Sequence, residues 1–304
     1  MGGSGGGFPT SRSDIARLQR EVQEANAEIQ RDSAVNSLLA SELGVINGRN
    51  VEKISSALDE IQQTLGDDFD IAQLLYGGSV SKHTFVDGLS DVDSLVVLKG
   101  DDVAGMTPEQ LRDAFAEKLI AANLEGVEKV ESGLLAVTVT YKDGTEIQLL
   151  PAIRDGDRVS IASPDAKNWS STDPRAFAAA LSAANKHQRG AVIPAIKLAK
   201  AVIGNLPEQE RLAGYHVEAL AVAAFRDYDG PRDVKSMVTH FFHSASQNIT
   251  SPIRDVTGQS PFVDERLGAK DSADRKKLAA SLLRIAERMK GPGGEAEWKQ
   301  LLGK

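Results

Sequence analysis

Residues 91 to 98 read D-V-D-S-L-V-V-L, so two carboxylates one residue apart open an unbroken apolar run. A short continuous run of this kind is typical of a buried strand. Residues i and i+2 of a strand share a face, which sets Asp91 and Asp93 on the same side at the entrance to that strand. Like charges this close cost energy unless something positive sits between them. A chain with this feature needs a sheet with a covered strand, and it needs an open strand end where charge can be met.

The rest of the chain supplies helices to cover that sheet. Residues 11 to about 44 carry Ile15, Leu18, Val22, Ala25 and Ile29 at helical spacing, and a second helix runs from Asn50 to Gly66. The β region is expected to begin near residue 85. A helix over 108–123 follows the first strand, with Pro108 in its first turn. Residues 133–141 and 146–153 then form a hairpin whose turn holds Asp143-Gly144, a strong two-residue turn signal. Beyond Asp173-Pro174 the pattern fits four helices, a turn-rich loop over 250–268, and a last helix that stops at Gly291-Pro292-Gly293-Gly294. The expected fold is α+β, a mixed sheet followed by a helical section and braced by the long N-terminal helix. The expected boundaries are a flexible glycine-rich tail over 1–10, a core over 11–165 and a helical domain over 166–304.

Composition narrows the function classes. At 304 residues, 41% hydrophobic and 26% charged, the chain can build a sizeable core. It has no cysteine, which removes disulfides, thiolate zinc sites and cysteine nucleophiles and fits a reducing cytoplasm. No run approaches the roughly 20 apolar residues of a membrane span, and the start lacks an export pattern. The net charge of −8 weighs against a long nucleic-acid duplex as partner, yet says little about small nucleotides.

The D-x-D pair is preceded by Gly77-Gly78-Ser79, with Thr84, Gly88 and Ser90 between. Glycine lets backbone approach phosphates closely, and helix-start amides with a serine hydroxyl can grip them. A carboxylate pair on one strand face can hold divalent cations that polarise a phosphate and activate a hydroxyl. Alone, the D-x-D reads as a solvated cap and the Gly-Ser as a loop; in this order, ahead of an apolar strand, they point to phosphate chemistry.

The stretch "GGSVSKHTFVDGLSDVDSLVVL" resembles the signature of the polymerase-β-like nucleotidyltransferases. Within them it is most similar to the branch holding oligoadenylate synthases, archaeal CCA-adding enzymes and the bacterial cGAS/DncV-like enzymes, the CD-NTases. "LLPAI" (149–153) resembles the strand end with that branch's third carboxylate, and "DPRAFAAALSAANKHQRGAVIPAIKLAK" its helical lid. "AGYHVEALAVAAF" resembles the segment where a small residue and a tyrosine meet triphosphate and base, and "PIRDVTGQS" its D-P-T-G loop.

The resemblance implies that Asp91 and Asp93 hold Mg²⁺, with Mn²⁺ as the alternative, and that Gly78 and Ser79 hold the β- and γ-phosphates. It implies that Lys186, Lys200 and Gly214 meet phosphates and Tyr215 a base. Spacing alone reads the lysines as solvated, and Tyr215 as a half-buried helix tyrosine. One position departs from the pattern: the third acid, three residues before the proline, is here Gln148, which brings an oxygen but no charge. Glu146, two residues earlier on the same face, can supply the carboxylate if the strand is shifted or bulged; the other reading makes it a strand-edge residue beside the turn. Asp255 reads best as a turn residue, His240 and His243 as ordinary helix histidines, and His83 lies in the Gly-Ser loop region.

By resemblance, then, the chain is expected to be a cytoplasmic Mg²⁺-dependent nucleotidyltransferase that joins nucleoside triphosphates into a short cyclic oligonucleotide, a second messenger in bacterial anti-phage defence, with regulatory or effector proteins as partners. The alternatives are linear oligoadenylate synthesis, tRNA-end addition, or a non-catalytic nucleotide-binding module, the last because Gln148 replaces an acid.

Overall fold

A computed structural model describes residues 12–47, 51–76, 92–99, 103, 105–156, 158–163, 166–172, 174–255 and 262–304. The glycine-rich start, Gly77, Gly78, Ser79, His83 and Asp91 lie outside the described residues.

Two helices open the chain, α1 (Arg12–Asn47) and α2 (Val51–Gly66). The sheet begins earlier than expected, with β1 (Ile71–Tyr76) rather than near residue 85. Strand β2 (Val92–Lys99) holds the apolar run. Helix α3 (Pro108–Ala122) follows, capped by a reciprocal pair in which Thr107 accepts from the Gln110 amide and Gln110 accepts from the Thr107 amide. Then come β3 (Val127–Ser132), β4 (Val137–Tyr141), β5 (Glu146–Asp155), β6 (Arg158–Ala162) and β7 (Trp169–Thr172). The Asp143-Gly144 turn joins β4 to β5 as expected: Gly144 takes φ +84, Thr145 N–H donates to Asp143 Oδ1 at 3.1 Å, and Tyr141 N–H donates to Thr145 O at 2.8 Å.

The strand order is β1-β2-β5-β4-β3, with β6 beside the far end of β5 and β7 beside β6. Among the described strands β2 and β5 form the parallel pair, and the other ladders are antiparallel. The central position of β2 explains its unbroken apolar run. Val96 and Leu98 enter a core with Leu58, Ile61 and Leu65 of α2 and Leu111, Phe115 and Leu119 of α3, while Leu95 and Val97 pack on the opposite face with Ala152, Val159 and Ile161. Each large apolar side chain buried this way contributes about 1.5–3 kcal/mol.

The second core is helical. It joins Val35 and Leu39 of α1 to α4 (Pro174–His187), α5 (Val192–Gly204), α6 (Gly214–Ala224), α7 (Val234–Asn248) and α8 (Ala273–Lys290). The chain does not end its structure at Gly291: α9 (Gly294–Leu301) follows and inserts Trp298, fully buried, into this core. Among the described residues no helix is long and apolar enough to cross a membrane.

Candidate active site

The β2–β5 ladder fixes the first group of site residues through backbone alone. It runs without interruption from Val92↔Ile147 and Asp93↔Gln148 to Lys99↔Arg154. The shift or bulge that would carry Glu146 into the row of Asp93 is not there: Gln148 stands directly across from Asp93, and also opposite Thr138 of β4. Glu146 opens β5 one pair beyond, opposite Thr140, and is exposed.

Face assignment follows from alternation. Ile147, Leu149, Val137 and Val139 point into the core under α2 and α3, so Gln148, Glu146, Thr138 and Thr140 take the other face, and the backbone of Asp93 is in register with Gln148. That face is apolar further along, at Leu95, Val97 and Ala152, and polar only at the strand ends. Consecutive same-face residues on a strand are roughly 7 Å apart, so Glu146 is within side-chain reach of the Asp93–Gln148 row. Carboxylate and amide oxygens are the donors a hard divalent cation takes, and this donor set fits one. Among the described residues no three His, Cys, Asp or Glu side chains gather as a metal cluster.

A second group forms where α5, α6 and the loop after α7 meet. Lys200 is 5% exposed and donates to Glu218 Oε1 at 2.8 Å, Glu218 itself being 1% exposed. Gly214, the first residue of α6, makes room for this lysine: a Cβ there would stand 3.3 Å from Nζ and 3.4 Å from Cε. The ammonium therefore lies against the positive end of a helix dipole, an arrangement tolerable because Glu218 sits one turn further on. Positive charge and unsatisfied helix-start amides together favour an anion at this point.

Tyr215, next to Gly214, donates from its hydroxyl to Asp255 Oδ1 at 2.9 Å, and its ring lies 4.5 Å from that of Phe177 on α4. Asp255, which reads as a turn residue from sequence, is thus tied to a candidate base-binding tyrosine. The loop carrying Asp255 is pinned from beneath. Arg275, fully buried, donates to Asp264 Oδ2 at 2.5 Å and to the carbonyls of Ile249, Ser251 and Gly268, while Asp264 accepts from the Ile253 amide. His216 bonds the Val263 carbonyl through Nε2 at 2.5 Å, and burial pushes its pKa below the ordinary value.

The spacing of Lys197 and Lys200 suggests a shared face, but the structure separates them. Lys197 donates to Asn47 Oδ1 at the end of α1, and Lys200 turns into the α6 junction. Lys186 is exposed in the last turn of α4. His240 bonds the Ala224 carbonyl at 2.9 Å and stacks on Tyr228, a packing role. Glu218 and Phe177 are not found by motif reasoning. Glu218 had a signal, being the one acid in the otherwise apolar run 216–225; Phe177 had none.

The fold has counterparts among known proteins. No protein with a curated description matches the sequence. Among solved structures the chain is similar to CdnC of E. coli MS115-1 with ATP, at TM-score 0.65 and 16% identity over 83% of this chain and 90% of that one. It is similar to the CD-NTase CdnG of Bradyrhizobium diazoefficiens with GTP, at TM-score 0.62 and 15% identity over 82% and 87%. It is also similar to apo DncV of Vibrio cholerae, at TM-score 0.58 and 13% identity over 97% and 89%. The family model described as Second Messenger Oligonucleotide or Dinucleotide Synthetase domain matches residues 32–185, just over half the chain. The chain therefore belongs to that family, the CD-NTases, nucleotidyltransferases that make nucleotide second messengers.

Proposed function

We propose that this enzyme uses a divalent cation, Mg²⁺ or Mn²⁺, to condense nucleoside triphosphates into a short cyclic oligonucleotide that signals in bacterial defence against phage. The observation that carries the reading is the continuous β2–β5 ladder, which puts Asp93 in register with Gln148, and Glu146 two residues before Gln148, at the start of the two parallel strands. In this reading the sheet with α2 and α3 is the nucleotidyltransferase core, and the helices after it form the lid-bearing domain.

Asp91, Asp93 and Glu146 would hold the cation, and the Gln148 carbonyl would offer a neutral oxygen. When bound, the cation lowers the pKa of the attacking hydroxyl and offsets charge on the α-phosphate. Gly78 and Ser79 hold the β- and γ-phosphates through backbone amides and a hydroxyl. Lys200, paired with Glu218, meets the triphosphate with Gly214 and the first amides of α6, and Lys186 meets it from α4. Tyr215, set by Phe177 and Asp255, offers its ring to a base. A ribose hydroxyl of one nucleotide attacks the α-phosphorus of the next and pyrophosphate leaves; a later attack by the chain's terminal hydroxyl on the α-phosphorus of its own 5′-triphosphate closes the ring and releases a second pyrophosphate.

Solved neighbours include CdnC in complex with HORMA-deltaN, and on that analogy a protein partner regulates this enzyme as well. Incubation with the four ribonucleoside triphosphates and Mg²⁺ or Mn²⁺, then phosphatase and mass spectrometry, tests the reading. A phosphatase-resistant oligonucleotide is expected from the wild-type chain and none from the Asp91→Ala/Asp93→Ala variant. Equal synthesis by that variant contradicts the assigned site, and a product that loses terminal phosphates to the phosphatase contradicts ring closure.

A further inference from the structure

The two halves of α1 have opposite surroundings. From Val35 onward one face of the helix packs on the helical core and is tied to the start of α7, where Asn36 donates to Asp233 at 3.0 Å. Residues 15–31 are all exposed and rise about 25 Å along the axis. Yet this exposed half carries a stripe of large apolar side chains, with Ile15 at 47%, Leu18 at 40%, Val22 at 58% and Ile29 at 67% exposure.

The spacing of that stripe is a heptad pattern: Ile15, Leu18, Val22, Ala25 and Ile29 follow one another at intervals of three, four, three and four. β-Branched residues fill the first core position of each heptad (Ile15, Val22, Ile29) and Leu18 and Ala25 the second, the choice that favours two parallel strands. Flanking residues discriminate orientation. In a parallel pair Glu21 of one helix meets Asn26 of the other, a neutral contact. In an antiparallel pair Glu21 and Glu28 would face the same glutamates of the second copy. Between residues 15 and 31 three arginines balance three glutamates, which lacks the basic excess of a helix lying on anionic lipid.

Geometry leaves room for a second copy. At about 100° per residue, the side of α1 carrying Val35, Leu39, Leu43 and Ile46 lies roughly a quarter turn from the stripe. A partner helix can lie along the stripe without meeting the chain's own body.

We infer that the exposed half of α1 is a dimerisation arm, pairing in parallel with the same segment of a second copy of this chain through Ile15, Leu18, Val22, Ala25 and Ile29. With only two and a half heptads the pair is reversible and depends on concentration.

Sedimentation of the full chain across a concentration series tests this. The wild type is expected to rise from one to two chain masses, and Val22→Glu, an exposed substitution, to stay at one with unchanged circular dichroism. Because the protein has no cysteine, Leu18→Cys gives an unambiguous readout of orientation. Under mild oxidation it is expected to cross-link at least tenfold faster than Ala27→Cys on the opposite side of the helix. A wild type that stays monomeric throughout, or a dimer untouched by Val22→Glu, overturns the inference, and equal cross-linking of the two cysteine variants overturns the parallel pairing. A monomer that floats with anionic vesicles, and loses this with Val22→Glu, would assign the stripe to a bilayer instead.

Discussion

The two groups of site residues are held by different forces. The Asp93–Gln148 row, with Glu146 two residues along β5, stands on a strand ladder, so backbone hydrogen bonds and the apolar packing of Leu95, Val96, Val97 and Leu98 fix its position. The apolar side chains around it, not its polar ones, make the core on which the fold leans. The Lys200–Glu218 pair is the reverse: two charges withdrawn from water into a helical core, each required by the other. The difference teaches where activity and stability part. Changes in the row should cost turnover and leave folding intact, whereas single changes in the pair should cost both.

The largest effect is expected from Asp93→Ala. Losing a metal-holding carboxylate removes several kcal/mol of transition-state stabilisation, so product formation should fall at least about a thousandfold. The melting temperature should hardly move; a parallel loss of both would break the distinction. Next comes Glu218→Ala, which strands the Lys200 ammonium and should cost about 3–5 kcal/mol of unfolding free energy in denaturant titrations. The sharper form is the double change Lys200→Met/Glu218→Met. Replacing both charges by apolar groups should return most of the stability while KM for the triphosphate stays raised, about tenfold or more. Recovery of both would make the pair structural only.

Smaller effects sharpen the row itself. Glu146→Gln should lower turnover about tenfold to hundredfold and raise the Mg²⁺ concentration needed for half activity. Gln148→Glu should lower that concentration, since it adds charge directly across from Asp93. The smallest expected effect concerns pH. Burial holds the folded His216 below its ordinary 6.5, so the folded chain binds fewer protons than the unfolded one. Its contribution is complete above that value and is lost as pH falls through the lower, folded one. Melting curves at descending pH should show this decline in the wild type and a shallower one in His216→Gln.

Much of this was legible in the sequence because it rested on patterns with a mechanism. The apolar run of β2, the Asp143-Gly144 turn, and the helices with clear ends at α2 and α3 appear where periodicity and caps put them. The strands that escaped were β1, β3, β6 and β7, short or polar segments such as V-E-K-V-E-S and W-S-S-T. Among the described strands β3 pairs with β4 alone, and its charges suit a sheet edge, which erases the hydrophobic signal. Helix α9 was hidden by the Gly-Pro-Gly-Gly turn before it, although the helix resumes at Gly294 to bury Trp298. In the site, the D-x-D row was readable because strand parity is local. The partners of Lys200 and Tyr215 were not, because Glu218, Phe177 and Asp255 arrive from distant segments.

The central claim is a divalent cation bound at the Asp93 end of β2, with a triphosphate reaching toward Lys200. A crystal structure of the full chain grown with Mn²⁺ and a non-hydrolysable nucleoside triphosphate measures it most directly. The account predicts anomalous density within about 2.2 Å of an Asp93 carboxylate oxygen and phosphate oxygens at the start of α6. Nucleotide bound with its metal away from Asp93 would contradict it.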